Sequence, residues 1–304
     1  MVKRTIEISR QPLHLSVKYD QLVLQARGQA SRDAPTIPCE DIGVVVVDEP
    51  GTSWSHQALA KLVDHGAVVV VCGRDHLPVG MLLPLSNHTE VVQRVAEQIA
   101  VKRPLKKRLW KQLVVAKIRA QADNLDHAAP ERAKLVALAK TVKSGDPANV
   151  EAQAAKVYWR AWLGDSGEAG EKRFRRSPDG PPPNNLLNYG YAVLRAAIGR
   201  AVVAAGLLPM LGIHHSNRSN AFCLADDLLE PLRPMADARA RRLYSEGVTE
   251  LDQPSKAVLL ELLVAPTEIN GQSGPLMVNL HRMVASLVHC YQGEADRLDI
   301  PTPC

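Results

Sequence analysis

The chain has 304 residues, 46% of them hydrophobic, which excludes a disordered protein and allows two domains that each bury a core. A net charge of +5 at pH 7 and a pI near 9.0 favour a polyanionic partner. The five cysteines are scattered without a CxxC pair, which excludes a zinc knuckle and a disulfide framework.

Neither a secretory signal nor a membrane span is predicted. The first residues turn polar before an apolar stretch can form. The longest apolar stretch, at 192–211, is interrupted by Arg195 and Arg200 and contains Pro209, which is typical of a buried helix. We therefore expect a cytoplasmic protein that contacts no membrane.

Residues 1–86 are predicted to form a small N-terminal β domain with one helix at 55–65. The runs at 43–48 and 67–72 are continuous and β-branched, as expected of strands buried on both faces. Prolines in the run at 77–85 favour an edge strand. The remaining predicted strands, which alternate apolar and polar residues, are 5–9, 13–17 and 21–26.

Residues 87–304 are predicted to form a larger, all-helical domain, joined to the first by a linker near 84–89. The apolar period changes to about 3.6 residues near His88 and stays there. The fold class is therefore α+β with two domains. The segment 164–183, rich in Gly, Pro and charge, is predicted to be a long loop. The predicted helices are 89–101, 104–124, 130–143, 148–163, 184–205, 220–230, 235–246, 253–264 and 274–292.

Glu151 stands at the head of an apolar helical face. Ala155, Tyr158 and Trp162 follow it on that face, so the carboxylate needs a partner if it is buried. A metal ion is one candidate partner. A solvent-exposed Glu in the first helical turn, where it would stabilise the helix dipole, is the interpretation that the spacing alone favours.

A second group of candidates lies between residues 206 and 234. His214 and His215 follow a Pro-x-x-Gly turn, and Asp227 and Glu230 share a helical face. An imidazole with several carboxylates suits a divalent metal that acts on a phosphate. The alternatives are a structural histidine and acidic residues on a solvated helix face; adjacent side chains diverge, so only one histidine is expected in a site.

Basic residues predict a surface that binds a polyanion. Arg103, Lys107 and Lys111 fall on one helical face, a spacing suited to a phosphate backbone. A solvated face opposite acidic neighbours is the alternative, but few acids are interleaved there. No P-loop, GxGxxG or GxSxG motif is present. The predicted nucleic-acid contacts are Lys102, Arg103, Lys106, Lys107, Lys111, Arg173, Arg175, Arg176 and Arg233.

Four motifs in order make the sequence resemble a known family. They are DPANVEAQAAKVYW at 146–159, NYGYAVLRAAI at 188–198, AGLLPMLGIHH at 205–215 and DLLEPLRP at 227–234. They resemble the CRISPR-associated endonuclease and integrase family called Cas one, the catalytic subunit of spacer acquisition, in its type II-like form. The resemblance covers essentially the whole chain.

The resemblance implies a catalytic metal site formed by Glu151, His215 and Glu230, holding Mg²⁺ or Mn²⁺. Asp227 is implied as a further ligand or as a residue that orients a ligand from the second shell. The implied partners are double-stranded DNA (prespacer and CRISPR repeat), a second copy of the chain bound through the β domain, and a small adaptation-complex protein of the CRISPR locus.

The implied reaction joins the 3′-hydroxyl ends of short captured DNA into the CRISPR repeat array by transesterification. Two other hypotheses fit the residues: a stand-alone divalent-metal nuclease, and a DNA-binding scaffold without catalysis. Joining, cleavage without joining, and binding with neither would distinguish the three.

Overall fold

Two four-stranded β-sheets and one α-helix make up the N-terminal part of the chain. The computed structural model describes residues 3–85, 88–163 and 174–304. The elements of this part are β1 (Arg4–Ile8), β2 (Leu13–Lys18), β3 (Gln21–Ala26), β4 (Thr36–Pro38), β5 (Ile42–Val47), β6 (Ser53–Trp54), α1 (His56–Asp64), β7 (Val68–Cys72) and β8 (Pro78–Leu82).

The first sheet has the strand order β1-β5-β7-β8, and the second has the order β4-β3-β2-β6. Strands β1, β5 and β7 are parallel, with Val45 opposite Val69, whereas β8 is antiparallel and forms an edge. The edge position expected from the prolines is therefore confirmed. Strand β5 is buried at every residue, because α-helices cover one face of this sheet and the second sheet covers the other.

Helices dominate the remainder of the described chain. The longest are α3 and α6, with 21 residues each, and α6 is buried almost all round. The helices are α2 (Val91–Ala100), α3 (Arg103–Asp123), α4 (Pro130–Thr141), α5 (Val150–Ala161), α6 (Asn184–Ala204), α7 (Cys223–Leu229), α8 (Arg233–Ser245), α9 (Gln253–Leu260) and α10 (Leu276–Gln292).

The expectation of an all-helical C-terminal part was wrong at one place. A three-stranded sheet with the order β10-β9-β11 is formed by β9 (Pro266–Ile269), β10 (Gln272–Pro275) and β11 (Thr302–Pro303). The turn residues Asn270 and Gly271 both have positive φ, 50° and 73°, as an Asn-Gly hairpin turn requires. The predicted helix at 253–264 accordingly ends as α9 at Leu260 and continues as a 3₁₀ turn, Glu261–Val264.

The main hydrophobic core extends across both parts of the chain. Val44 and Val46 of β5 pack with the helices, whereas Val45 and Val47 pack against the second sheet. The domain division at residues 86 and 87 stays a prediction, and both residues lie outside the described chain. Within the described chain, no helix is long and apolar enough to cross a membrane.

Candidate metal and nucleic-acid site

Glu151 is held in place by the way α5 begins. Asn149 adopts left-handed backbone geometry and caps the helix by accepting a hydrogen bond from the N–H of Ala152. The Asp146 carboxylate accepts hydrogen bonds from the N–H groups of Val150 and Glu151, each at 2.9 Å. These bonds satisfy the free N–H groups of the first turn and fix the direction in which Glu151 leaves the helix.

Glu230 lies where α7 tightens into a 3₁₀ turn, Glu230–Leu232, ahead of Pro231. It is buried, with 5% of its surface exposed. Arg233, at the start of α8, donates a hydrogen bond from Nε to Glu230 Oε1 at 3.0 Å. The structure thus uses Arg233, which was predicted to contact nucleic acid, to pair with a carboxylate of the site.

Lys117 of α3 joins the two glutamates. Its Nζ lies 2.5 Å from Glu151 Oε1 and 2.5 Å from Glu230 Oε2, so one nitrogen touches both carboxylates. Burial alone would raise the pKa of Glu230, but Arg233 and Lys117 together lower it to about 2. The pKa of Lys117 is raised by the two carboxylates, which outweigh the opposing effect of its burial.

The position of Lys117 was not predicted as part of the site, although the sequence carried a signal for it. Its neighbours on the buried side of α3 are apolar, including Leu113, Val114 and Ile118. A lysine in an apolar helical stripe requires a buried partner, in the same way as the glutamate at the head of α5.

His215 is oriented by Asp227, a fully buried residue of α7. The ring Nδ1 lies 2.6 Å from Asp227 Oδ1, which leaves Nε2 as the nitrogen free to bind a ligand when Nδ1 carries the proton. The hydrogen bond to Asp227 raises the pKa of His215, and Glu230 and Glu151 contribute through their charges. Glu230 and Glu151 are thus near enough for their charges to act on the His215 ring.

Asp227 has no oxygen left for a metal ion. Its carboxylate also accepts hydrogen bonds from the N–H groups of Ile213, His214 and His215, at 2.6, 2.9 and 3.1 Å. Of the two roles implied for Asp227, the geometry supports orientation of a ligand. Asp227 hydrogen-bonds the His215 ring and fixes the turn that carries both histidines.

The two histidines diverge, as expected. The His214 ring stacks on Trp110 of α3, with a centroid distance of 4.1 Å and an interplanar angle of 5°. The two imidazoles are inclined at 82° to each other. Lys106 also supports this turn by donating from Nζ to the carbonyl of Gly212 at 3.2 Å. The stack and the hydrogen bond attach the loop to α3.

Asp226, although four residues before Glu230, is engaged elsewhere. Arg195 of α6 pairs with both of its oxygens, at 2.7 and 3.0 Å, and Asn220 donates to Oδ2 at 2.6 Å. This pairing stabilises the polar loop that precedes α7.

The basic residues predicted to bind nucleic acid differ in their availability. Arg176 is half-buried and donates to the side chains of Asn184 and Asn188. Arg233 and Lys106 are engaged at the site as described above, and Arg173 lies outside the described residues. The predicted residues that remain exposed are Lys102, Arg103, Lys107, Lys111 and Arg175.

The donor set of Glu151, Glu230 and His215 suits a divalent cation, because two carboxylates already converge on one positive charge beside an oriented imidazole. Across residues 3–85, 88–163 and 174–304, no three His, Cys, Asp or Glu side chains are already grouped around a single ion position. The ammonium of Lys117 stands between the two carboxylates. The three-ligand metal site stays a prediction.

A cleft of about 900 Å³ lies elsewhere, between α3, α8 and the sheet of β9, β10 and β11. Its lining includes Arg119, Arg239 and Arg297 but none of the three predicted ligands. Its size therefore does not identify it as the reaction site, and the converging charged groups are the better guide.

Comparison with known proteins identifies relatives along most of the chain. The model of the family described as CRISPR associated protein Cas1 matches residues 6–261. The chain is 37% identical over 276 residues to the CRISPR-associated endonuclease Cas1 of Neisseria meningitidis serogroup C (strain 8013). This match covers 90% of the chain and 87% of the relative.

Two solved structures share the fold. A casposase bound to integration product matches with a TM-score of 0.77 and 18% identity, over 98% of this chain and 93% of that chain. A Cas6-RT-Cas1–Cas2 complex matches with a TM-score of 0.75 and 14% identity, over 97% of this chain and 35% of that chain. At these identities, the likeness shows the fold alone.

Proposed function

The chain belongs to the Cas1 family, the CRISPR-associated endonucleases and integrases, and we propose that it joins DNA by metal-dependent transesterification. The 3′-hydroxyl of a short captured DNA attacks a phosphodiester at the boundary of a CRISPR repeat. The attacking hydroxyl gives up its proton as its oxygen forms the new P–O bond. The P–O bond to the repeat's own 3′-oxygen breaks, and that oxygen takes up a proton.

One observation supports the proposed metal dependence. Two carboxylates from distant parts of the chain, Glu151 and Glu230, contact one cation, and His215 is oriented beside them by a buried carboxylate. A solvated acidic helix face, the alternative considered from sequence, would leave Glu230 exposed, whereas it is 5% exposed. Such a convergent acidic pair, with Glu230 buried and Glu151 half-buried, supports a cation-binding role.

In this proposal Glu151, Glu230 and His215 would hold Mg²⁺ or Mn²⁺. An ion held there would supply a lowered pKa for the attacking hydroxyl and positive charge opposite the charge that develops at phosphorus. Mn²⁺ accepts an imidazole ligand more readily than Mg²⁺ does, so we expect Mn²⁺ to support activity at least as well. Asp227 keeps the proton of His215 on Nδ1 and thereby leaves Nε2 free to bind.

DNA binding is proposed to depend on phosphate contacts. The exposed residues Lys102, Arg103, Lys107 and Lys111 lie at and along the start of α3, the helix that also carries Lys117. Contacts of this kind predict weak dependence on prespacer sequence and a steep loss of affinity with salt. The casposase structure, bound to integration product, supports a DNA substrate for this fold.

Protein partners are also proposed. The matched complex contains Cas2, which supports a small adaptation-complex partner for this chain. A homodimer formed through the N-terminal β region is supported by apolar side chains exposed on and just after β8, namely Val79, Leu82 and Leu85. We expect Val79→Glu with Leu82→Glu to shift the purified protein from dimer to monomer in analytical ultracentrifugation. An unchanged dimer would place the interface elsewhere.

One assay tests the proposed reaction. The purified chain is incubated with its Cas2-type partner, a labelled duplex with free 3′-hydroxyls and a supercoiled plasmid bearing the repeat, with and without Mn²⁺. Joined product that requires Mn²⁺ supports the proposal. Cleavage without joining would indicate a stand-alone nuclease, and DNA binding with neither would indicate a scaffold.

Variants of the three ligands test the assignment of the site. We expect Glu151→Ala, His215→Ala and Glu230→Ala each to abolish joining while salt-sensitive DNA binding persists. His214→Ala is the matched control, since its ring stacks on Trp110 and is inclined at 82° to the His215 ring. Normal joining by all three ligand variants would show that the site is wrong, and equal loss at both histidines would overturn the choice between them.

A further inference from the structure

Lys117 is an unusual residue at the centre of the candidate site. It is buried, with 9% of its surface exposed, and it is the only basic group described as touching both Glu151 and Glu230. Its Nζ donates one hydrogen bond to each, at 2.5 Å. A surface salt bridge between mobile side chains has neither this burial nor this geometry.

The charges of this group balance without any further ion. Glu151 and Glu230 contribute two negative charges, and Lys117 and Arg233 contribute two positive charges within contact distance of them. A divalent cation added to the same carboxylates would leave two uncompensated positive charges in a largely buried site. Because Coulomb repulsion is strong in such surroundings, the ion and the Lys117 ammonium compete for the same oxygens.

We propose that Lys117 is a positioning residue that acts as a built-in counter-ion and exchanges with the divalent metal. It holds Glu151 and Glu230 together before the ion arrives, and it leaves both carboxylates when the ion binds. This inference rests on the proposed metal site. It assigns a role to Lys117 that a purely structural ion pair would not have.

Exchange has a consequence for the substrate. Once the ion neutralises the two carboxylates, the charges of Lys117 and Arg233 are no longer compensated by them. The group then carries a net positive charge, which suits a phosphodiester and the greater negative charge of its transition state. Metal loading therefore converts a neutral group into one that attracts phosphate.

A structural role and an exchange role predict opposite effects on metal affinity. If Lys117 only supported the fold, its removal would leave metal affinity unchanged or would weaken it, because the carboxylates would lose their orientation. If it competes with the ion, its removal should tighten binding, because the competing cation is gone.

The test is a Mn²⁺ titration of the full-length protein without DNA, followed by the electron paramagnetic resonance signal of free Mn²⁺. We expect Lys117→Met to bind Mn²⁺ about tenfold or more tightly than the wild type, since an opposing charge in direct contact has been removed. Lys140→Met, which removes an exposed lysine of α4, is the matched control and should leave the affinity unchanged.

Lys117→Gln provides the same comparison if Lys117→Met does not fold, because its amide can still donate hydrogen bonds to the carboxylates without a charge. Unchanged or weaker Mn²⁺ binding by Lys117→Gln would overturn the exchange.

Glu151→Gln distinguishes failure of the proposed metal site from failure of the proposed exchange at Lys117. If Glu151→Gln leaves wild-type Mn²⁺ binding intact, or if the wild type does not bind Mn²⁺, the metal site itself is wrong. If Glu151→Gln abolishes binding but Lys117→Gln does not tighten it, only the exchange fails.

Discussion

Asp227 shows how one buried side chain can organise a site without touching its substrate. Its two oxygens accept hydrogen bonds from three consecutive backbone N–H groups and from the His215 ring. These hydrogen bonds fix the turn that carries His215 and the orientation of its ring. The role of Asp227 is orientation, and its loss should be felt through His215.

The first prediction concerns this orientation. We expect Asp227→Asn to weaken Mn²⁺ binding by about 10- to 100-fold, because an amide has only one acceptor oxygen and cannot serve both the three backbone N–H groups and the His215 ring. Asp226→Asn is the neighbouring control, since Asp226 pairs with Arg195 outside the ligand group. A Mn²⁺ titration measures both variants, and equal losses of affinity at both positions would contradict the assignment.

At the residue scale, the sequence predicted which acids and which histidine to examine. The structure brings Glu151 and Glu230 onto one Lys117 Nζ, and the role of His215 as a third ligand stays a prediction. Their motifs resemble a known family, and the resemblance supplied the choice of His215 over His214. The contact of Lys117 with both glutamates could not be predicted, because it joins residues 34 and 113 positions apart. Spacing within one helix carries no information about such contacts.

The turn before the histidines illustrates how one element constrains the site. At Gly212, a Cβ atom would lie 2.3 Å from the His215 carbonyl oxygen and 2.8 Å from Asp227 Oδ2. Both distances are far below van der Waals contact, and the first atom is backbone that cannot swing aside. Glycine is required here by the close approach of the chain to itself.

The second prediction follows from that close approach. We expect Gly212→Ala to lower the free energy of unfolding by about 2 kcal/mol or more, because the turn must open and its hydrogen bonds to Asp227 must lengthen. Gly80→Ala on β8 is the matched control, since a Cβ there meets nothing within 4 Å. Urea unfolding of both variants provides the comparison, and equal stability would show that the turn tolerates a side chain.

The third prediction concerns a buried carboxyl on α8. Burial raises the pKa of Asp237 to about 6. Hydrogen bonds from Tyr191 and Tyr158 and the charges of Arg233 and Lys117 lower this pKa, but burial outweighs them. A pKa raised in the folded state means that stability is greatest below the unfolded pKa of 3.8 and declines as the pH rises through about 6.

The wild type should therefore lose about 2 kcal/mol between pH 4 and pH 7.5 relative to Asp237→Asn, which has no charge to bury. Urea unfolding of both proteins at the two pH values measures this difference. If the difference in unfolding free energy between the two proteins is the same at both pH values, Asp237 ionises as easily in the folded chain as in the unfolded one.

At the scale of elements, nearly all helices were predicted from period, caps and prolines, with ends that differ by a few residues. The small sheet was missed because each of its strands has only two to four residues, too short for a period to appear. The Asn270-Gly271 pair was the available signal. The helical patterns on either side, at 253–264 and 274–292, dominated the prediction, so the pair was not interpreted as a hairpin turn.

The first β-sheet, which contains β5, contributes side chains to both hydrophobic cores. Strand β5 packs its alternate valines against the helices and against the second sheet. Just beyond it, Asp48 forms a buried ion pair with Lys256 of α9, at the junction between the N-terminal sheet and the helices. The apolar run of β5 predicted burial on both faces but could not predict what covers each face.

The fourth prediction tests that junction. We expect Lys256→Met to cost about 3 to 5 kcal/mol in unfolding free energy, because it leaves the buried Asp48 without its main partner. The double variant Asp48→Leu with Lys256→Met should recover most of this loss, since no charge then remains buried. Lys61→Met, which breaks an exposed pair with Asp20, should have little effect. A double variant no more stable than the single one would contradict this account.

The most direct test of the central claim is a crystal structure of the protein grown with Mn²⁺, in which the ion is located by its anomalous scattering. The account predicts one peak about 2.1 Å from carboxylate oxygens of Glu151 and Glu230 and from His215 Nε2, with Lys117 Nζ displaced from both glutamates. It would be contradicted by Lys117 still contacting both carboxylates in saturating Mn²⁺, with no anomalous peak beside His215.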